Sequence, residues 1–173
     1  MDSLAFLYYL QSAPGYAGQI VHTEPIPARN PTYGKLDRPL SDALQERLEK
    51  CGLSRLYTHQ AQAINKAREG KNVVVATSSA SGKSLCYNIA TLEAILSEKR
   101  SRALYLFPTK ALAQDQLRAL REIAWPGILQ PAEVATFDGD TPQSERAEIK
   151  KSARVILSNP DMLHHGILPN HQY

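Results

Sequence analysis

The chain has 173 residues, of which 43% are hydrophobic and 21% are charged, and this composition suits one globular domain with a buried core. Its net charge of +3 is mildly basic, which agrees with a nucleic-acid partner, and the absence of a run of five or six like charges argues against a densely charged binding tail. The apolar run in the opening segment has no basic residues before it and is too short to cross a bilayer. We therefore expect a cytoplasmic protein without a signal peptide or a membrane segment.

Neither the cysteines nor the histidines form a metal-binding pattern. Cys51 and Cys86 lie far apart, each in a helical apolar pattern, and are interpreted as small core residues. His164 and His165 are adjacent, so on a helix they would point in different directions, and no acidic or cysteine partner stands at ligand spacing. We expect a helix end closed by Gly166 there, and no structural metal.

The first forty residues differ from the rest of the chain in their residue pattern. Their five prolines leave room for a short N-terminal helix, a strand at residues 19–22 and an extended segment. From residue 40 onward, helical and strand-like patterns alternate. The sequence therefore predicts an N-terminal extension, residues 1–40, followed by one domain, residues 41–173.

The predicted domain opens with two amphipathic helices. Ser41 is predicted to cap the first helix, and Gly52 to close it. Thr58 is predicted to cap the second, which runs to Arg68. Residues 72–76 (NVVVA) are β-branched at consecutive positions, which predicts a fully buried strand. The remaining predicted elements are helices at 83–97, 110–124 and 143–150 and strands at 103–107, 133–137 and 154–157.

Strands that alternate with helices in this way predict the α/β class, with a parallel sheet covered by helices on both faces. The segment after the first strand reads TSSASGKS, and it opens the helix at 83–97. In this strand-loop-helix setting, small side chains let the backbone approach phosphate oxygens, and the amides of a helix N-terminus point at the anion. The segment is therefore predicted to be a phosphate-binding loop.

Two residues of this loop are the catalytic candidates. Lys83 would place a cation on the β and γ phosphates of ATP, and the Ser84 hydroxyl would hold Mg²⁺. Thr77 and Ala80 stand where many such loops have glycine, and the alternative is a helix start with a chance Gly-Lys-Ser. The candidate cofactor-binding residues of the loop are Thr77, Ser78, Ser79, Ala80, Ser81, Gly82, Lys83 and Ser84.

A second nucleotide contact is predicted upstream, in LYTHQAQAI, residues 56–64. The amide of Gln60 is both donor and acceptor, so it can pair with N6 and N7 of adenine, and Tyr57 or Arg55 can stack on the base. A glutamine on a helix is otherwise an ordinary solvated residue. Its position before a phosphate loop favours the adenine interpretation.

Two turns after predicted strands are candidates for contacts to a polymer backbone. Thr109 lies between the strand at 103–107 and the next helix, and Asn159 with Pro160 repeats that arrangement after the strand at 154–157. Ligands of open α/β sheets bind beyond the carboxyl ends of the strands, where helix N-termini attract phosphates. The alternative, that Thr109 and Asn159 are simple helix caps, is compatible with such a contact.

Five segments occur in the order found in the DEAD/DEAH-box helicases of superfamily two, which the chain resembles from about residue 19 to its end. They are LYTHQAQAI, ASGKS, FPTKALAQDQ, DGDT and SNPDMLH. The last of these, together with QIVH near the start, resembles the YprA/MrfA-like DNA-repair branch. The resemblance implies a RecA-like fold and an ATP-dependent helicase that uses ATP and Mg²⁺ and binds DNA with a single-stranded region.

The resemblance also implies roles for individual residues. Tyr57 and Gln60 join the cofactor site, Gln60 as the adenine-reading glutamine of the family. Residues 159–162 (NPDM) stand in the place of TPGR, and Met162 in place of arginine puts a direct arginine contact to phosphate there in doubt. The candidate nucleic-acid-binding residues are Pro108, Thr109, Lys110, Gly139, Asp140, Asn159, Pro160 and Asp161.

The family hydrolyses ATP with a D-E-x-D or D-E-x-H motif after a further strand, and this sequence contains no Asp-Glu dipeptide. We therefore expect the front part of a longer enzyme, with a sheet incomplete at its C-terminal end, that does not hydrolyse ATP by itself. Two alternatives to a helicase stay open. One is a non-catalytic nucleotide- or nucleic-acid-binding module, and the other is a different phosphate-loop NTPase such as a small-molecule kinase.

Overall fold

The computed structural model describes residues 2–27 and 30–170. They fall into two compact units, Met1–Pro31 and Thr32–Tyr173. The first unit contains helix α1, Ser3–Gln11, whose N-terminus is capped by the Asp2 side chain, and this helix confirms the predicted short N-terminal one. The strand predicted at residues 19–22 is wrong: these residues make no β pairing, and Val21 lies 92% exposed.

The second unit begins nine residues before the predicted domain start at 41. Residues 32–34 pair with the segment that leads into the second predicted helix: Gly34 N–H donates to Leu56 O, and Thr58 N–H donates to Thr32 O, each at 3.0 Å. A Cβ at Gly34 would lie 2.8 Å from the Ala61 Cβ, so only glycine allows this close approach. The proline-rich segment thus packs against the start of the second predicted helix.

Five helices of the second unit correspond to predicted helices. Their bounds are α2 Asp42–Lys50, α3 Thr58–Arg68, α4 Lys83–Ser97, α5 Lys110–Ala124 and α6 Gln143–Ser152. Thr58 is the first residue of α3 rather than its cap, because Tyr57 holds the capping position and its N–H is bound by the Gln60 side chain. The starts of α4 and α5 agree with the prediction because local chemistry sets them, a left-handed Gly82 and a capping Thr109 side chain.

Three parallel strands form the sheet: β1 Ala103–Leu106, β2 Val134–Thr136 and β3 Val155–Ser158, in the order β1-β3-β2. The chain crosses from β1 over β3 to β2 and then returns to β3. Connections of this kind are right-handed as a rule, and two such crossovers in opposite directions place the connecting helices α5 and α6 on opposite faces. The predicted α/β class with helices on both faces is therefore confirmed.

The predicted buried strand at residues 72–76 is wrong. The segment is extended but pairs with no strand among the described residues, and Val73 and Val74 are 40% and 95% exposed. A strand is defined by a neighbouring backbone as well as by its own residues, and β1 pairs only with β3 in the described sheet. Leu104 and Leu106 of β1 occupy alternate positions and therefore share one face of the sheet. That face is open, since both side chains are 44% exposed.

The core lies between the helices and the inner face of the sheet. Its fully buried members come from the sheet and from α2 to α5, for example Leu44 of α2, Ile89 of α4, Leu120 of α5 and Leu157 of β3. Cys86 is buried, and its burial raises the pKa of the thiol. Cys51 is only half-buried and borders the same core, so the interpretation as core residues fits Cys86 better. In the described part of the chain, no helix is both long and apolar enough to cross a membrane.

One ion pair joins the two helices that carry the candidate nucleotide site. Arg68 of α3 donates through Nε and Nη2 to both oxygens of Glu93 of α4, at 2.9 and 2.6 Å. The two side chains are only 9% and 16% exposed. A bidentate pair in this setting is geometrically specific, and it fixes how α3 and α4 lie against each other.

Removing one member of this pair leaves a nearly buried charge without its partner. We expect Glu93→Ala to lower the free energy of unfolding by about 3 kcal/mol. The control is Glu69→Ala, which removes an exposed pair with Lys66 and should cost below about 1 kcal/mol. Urea unfolding followed by circular dichroism compares the two variants, and equal losses would contradict the structural role of Glu93.

Candidate nucleotide and nucleic-acid sites

The candidate phosphate loop occupies residues 77–82 and leads directly into α4. Gly82 is the N-cap of this helix with φ +74°, and Ala80 is the non-glycine residue of the loop with a positive φ, at 57°. Ala80 therefore adopts the backbone conformation that glycine adopts most easily, at the position where the sequence departs from the common glycine pattern.

The Lys83 side chain folds back over its own loop. Its Nζ donates to the carbonyl oxygens of Ser78 at 2.6 Å and Thr77 at 3.2 Å. The hydroxyls of Thr77 and Ser81 are 2.6 Å apart and close the loop on one side. The ammonium group is therefore surrounded by neutral oxygens, which a phosphate can replace at a small electrostatic cost.

The loop is connected to α3 through Gln60. This side chain is 1% exposed; its Oε1 accepts from Tyr57 N–H at 2.8 Å and its Nε2 donates to Gly82 O at 2.9 Å. Sequence reasoning placed Gln60 near the loop, and the structure brings the two together. It does not leave the amide free, because both of its polar atoms bind backbone groups.

A column of rings lies beside Gln60. Tyr33 stacks on Tyr57 with centroids 5.5 Å apart, and Tyr57 stacks on His59 at 6.0 Å. The guanidinium of Arg55 lies 3.7 Å above the Tyr33 ring. Sequence reasoning selected Tyr57 and Arg55 but missed Tyr33, which is 24 positions before Tyr57 in a proline-rich segment. The available signal was the Gly34 that follows it, since a glycine there allows close packing on α3.

The candidate polymer contacts lie in three turns, one after each strand of the sheet. Thr109 and Asn159 are both helix caps: the Thr109 hydroxyl accepts from Leu112 N–H, and Asn159 Oδ1 accepts from Met162 N–H at 2.8 Å. Because the strands are parallel and in register, their carboxyl ends meet at one edge of the sheet. Pro108, Pro160 and Asp161 lie in the same turns.

The middle turn, residues 138–141, follows β2 and approaches α5. Asp138 is 6% exposed, and its carboxylate accepts from the N–H of Asp140 at 2.9 Å. Asp140 projects outward, and its Oδ1 lies 2.7 Å from Lys110 Nζ. The structure thus brings Lys110, Gly139 and Asp140 together, as the common sheet edge predicts.

The predicted helix end at Gly166 is wrong. A short helix, α7 Pro160–Met162, continues into a π-helical turn, Leu163–Ile167, which contains both histidines. The His164 and His165 rings lie 4.6 Å apart in an edge-to-face arrangement. Residues 2–27 and 30–170 contain no group of three or more His, Cys, Asp or Glu that could hold a metal ion.

A parallel α/β sheet with strand-end turns on one edge, combined with Gly-Lys-Ser at the start of α4, defines a phosphate-loop nucleotide-binding domain. Residues 57–173 match the family model described as DEAD/DEAH box helicase. This match covers more than half of the chain. The chain therefore belongs to the DEAD/DEAH box helicase family.

The chain is also similar to individual helicases. It is 47% identical over 163 residues to ATP-dependent helicase HRQ1 of Saccharomyces cerevisiae, covering 94% of this chain and 15% of that protein. It is 45% identical over 139 residues to the uncharacterized ATP-dependent helicase YprA of Bacillus subtilis, covering 78% and 18%. The crystal structure of DUF1998 helicase MrfA bound to DNA superposes with a TM-score of 0.79 at 35% identity, covering 99% of this chain and 24% of that one.

These similarities support the YprA/MrfA-like branch. The chain spans less than a fifth of the length of these two curated relatives and about a quarter of the MrfA chain.

Gly82 and Gly70 allow the contact between the loop and Gln60 to be tested. Both have a positive φ, +74° and +72°, but an added Cβ at Gly82 would lie 2.5 Å from Gln60 Nε2, whereas one at Gly70 would meet nothing within 4 Å. Both alanine variants therefore carry similar backbone strain, and only Gly82→Ala also displaces the Gln60 amide. We expect Gly82→Ala to lose about 1–3 kcal/mol more unfolding free energy than Gly70→Ala, measured in urea. Matching losses would show that Gln60 repacks without cost.

Proposed function

We propose that this chain is the ATP-binding part of the first motor domain of an ATP-dependent DNA helicase. The observation that carries the proposal is the presence, in one compact unit, of a Gly-Lys-Ser phosphate loop and three strand-end turns on one sheet edge. A motor that moves along a polymer needs both a nucleotide site and a polymer site on the same domain. A small-molecule kinase needs only the first.

ATP with Mg²⁺ is the proposed cofactor, and the donors fit it. Lys83 offers an ammonium group that is hydrogen-bonded to neutral carbonyl oxygens of its own loop. The amides at the start of α4 offer the positive end of a helix dipole, and Ser84 offers a hydroxyl. Bound nucleotide would supply the phosphoryl group, and the chain's residues would bind and orient it. Since the sequence has no Asp-Glu dipeptide, we expect this chain alone to bind ATP without steady-state hydrolysis.

The adenine end of the site is proposed at Gln60 and the neighbouring rings. Tyr33 and Tyr57 already stack on each other, so the base would stack on the Arg55 guanidinium or replace it on the Tyr33 ring. Gln60 would read the base with its second N–H and the second lone pair of its oxygen, because the backbone bonds use one of each. Selectivity for adenine then depends on how well the base matches this donor and acceptor pattern.

DNA with a single-stranded region is the proposed polymer. Support comes from the relative MrfA, whose structure was determined bound to DNA, and from the alignment of Lys110, Gly139 and Asn159 along one sheet edge. The turns provide a lysine amine, backbone amides at helix starts and a side-chain amide, which are groups that bind phosphates irrespective of base sequence. A role of the full-length protein in DNA repair, as in its branch, is part of the same proposal.

The nucleotide site is tested with Lys83→Ala. The variant removes the cation predicted to face the β and γ phosphates, so we expect it to abolish measurable MgATP binding while the far-ultraviolet circular dichroism stays native. Titration calorimetry makes the comparison, with Lys99→Ala, an exposed lysine after α4, as the control for lost charge. Undiminished ATP affinity in natively folded Lys83→Ala would contradict the assignment.

The polymer site is tested with Lys110→Ala. We expect weaker binding of single-stranded DNA and a logarithmic salt dependence reduced by about one unit or slightly less, because one phosphate contact is lost. Fluorescence anisotropy at several salt concentrations gives the slope. Lys50→Ala, which removes a lysine paired with Glu46 on α2, should leave the slope unchanged. Identical slopes for the wild type and Lys110→Ala would refute the lysine contact.

A further inference from the structure

Two oppositely charged side chains from different turns meet at the carboxyl edge of the sheet. Lys110, the first residue of α5, is 46% exposed, and its partner Asp140, in the turn after β2, is 77% exposed. The hydrogen bond to Asp140 raises the pKa of Lys110. Both side chains are open to water, so a dissolved anion can reach the lysine.

The turn that carries Asp140 is held together by other residues. Asp138 accepts from the N–H of Asp140 through its side chain, and its own N–H donates to Thr141 Oγ1 at 2.9 Å. Arg146 donates to Thr141 O at 3.1 Å and Asp138 O at 3.3 Å. The Asp140 carboxylate is therefore not required for the shape of the turn, and its ion-pair contact is with Lys110.

An exposed ion pair of this kind contributes little to stability. Its position matters more, because Lys110 is the strongest cationic candidate among the three strand-end turns. The Asp140 carboxylate offers to the ammonium the same kind of oxygen ligand as a DNA phosphate does. Any phosphate that binds Lys110 must therefore displace Asp140 or share the lysine with it.

We propose that Asp140 is a built-in competitor for Lys110, which holds the lysine in the DNA-free chain and releases it to a backbone phosphate. This inference rests on the proposed function, in which Lys110 contacts DNA. The exchange has two consequences. First, it lowers the affinity for DNA, which suits a protein that must release and rebind DNA as it moves. Second, it keeps the lysine side chain ordered before DNA binds, so that less conformational entropy is lost on binding.

The test compares four proteins: the wild-type 173-residue chain, Asp140→Asn, Lys110→Gln and the double variant. Their dissociation constants for a fluorescent oligothymidine are measured by anisotropy at low and at raised salt. The control is Asp115→Asn, an exposed acid on α5 whose partner is Arg118 of the same helix, because it changes the net charge identically.

We expect Asp140→Asn to bind the oligonucleotide about two- to fivefold more tightly at low salt, a range set by the strength of exposed ion pairs. The gain should shrink as salt screens the pair. In the Lys110→Gln background the same substitution should give a smaller gain, because only general repulsion between Asp140 and DNA remains.

Three results would overturn the proposal. If the gain from Asp140→Asn equals that from Asp115→Asn, or is unchanged without Lys110, Asp140 acts only through net charge. If Asp140→Asn weakens binding, Asp140 positions Lys110 rather than competing for it. If wild type and Asp140→Asn both fail to bind DNA, the proposed function fails together with the competitor; in the first two cases DNA binding stands and the competitor alone is lost.

Discussion

The parallel pairing of β3 with both of its neighbours determines where the candidate polymer contacts lie. Leu106 is aligned with Ser158, and Thr136 with Leu157, so all three strands end within about one residue of each other. Each strand then turns into a helix, and parallel geometry requires that these turns share one edge. A shift in register would keep the individual turns intact and destroy their alignment. The proposed polymer site therefore depends on the register of the sheet as well as on its individual side chains.

The mild basic charge of the chain has a structural explanation. Arg47 donates to Glu122, Ile123 and Trp125 carbonyls at the end of α5. Arg154 binds carbonyls at the end of α4, and Arg102 binds those at the end of α6. These arginines compensate the negative ends of helices and connect elements distant in sequence. Since part of the positive charge binds the chain's own helix ends, net charge is a poor guide to the proposed DNA-binding surface.

Sequence reasoning succeeded where the determining chemistry is local and failed where it is not. The bounds of α4 and α5 followed from Gly82 and Thr109, which act on their own helices. The strand around Val74 was predicted from residue type alone, yet a strand also needs a paired neighbour, and none lies beside it in the described sheet. Tyr33 was missed because its stack on Tyr57 joins distant segments without any periodic pattern. The shared edge of the strand-end turns was predicted correctly, because parallel strands place their carboxyl ends together.

The double engagement of Gln60 has a consequence for how the proposed adenine site would choose among bases. Its oxygen accepts from Tyr57 N–H and its nitrogen donates to Gly82 O, which uses one lone pair and one N–H and leaves a second of each. A base with the matching pattern would use that second pair while both backbone bonds persist. A base with the opposite pattern would set donor against donor and acceptor against acceptor, at a cost of about 1–3 kcal/mol. Because the two backbone bonds fix which side of the amide carries oxygen and which carries nitrogen, the side chain could not turn over to suit the wrong base.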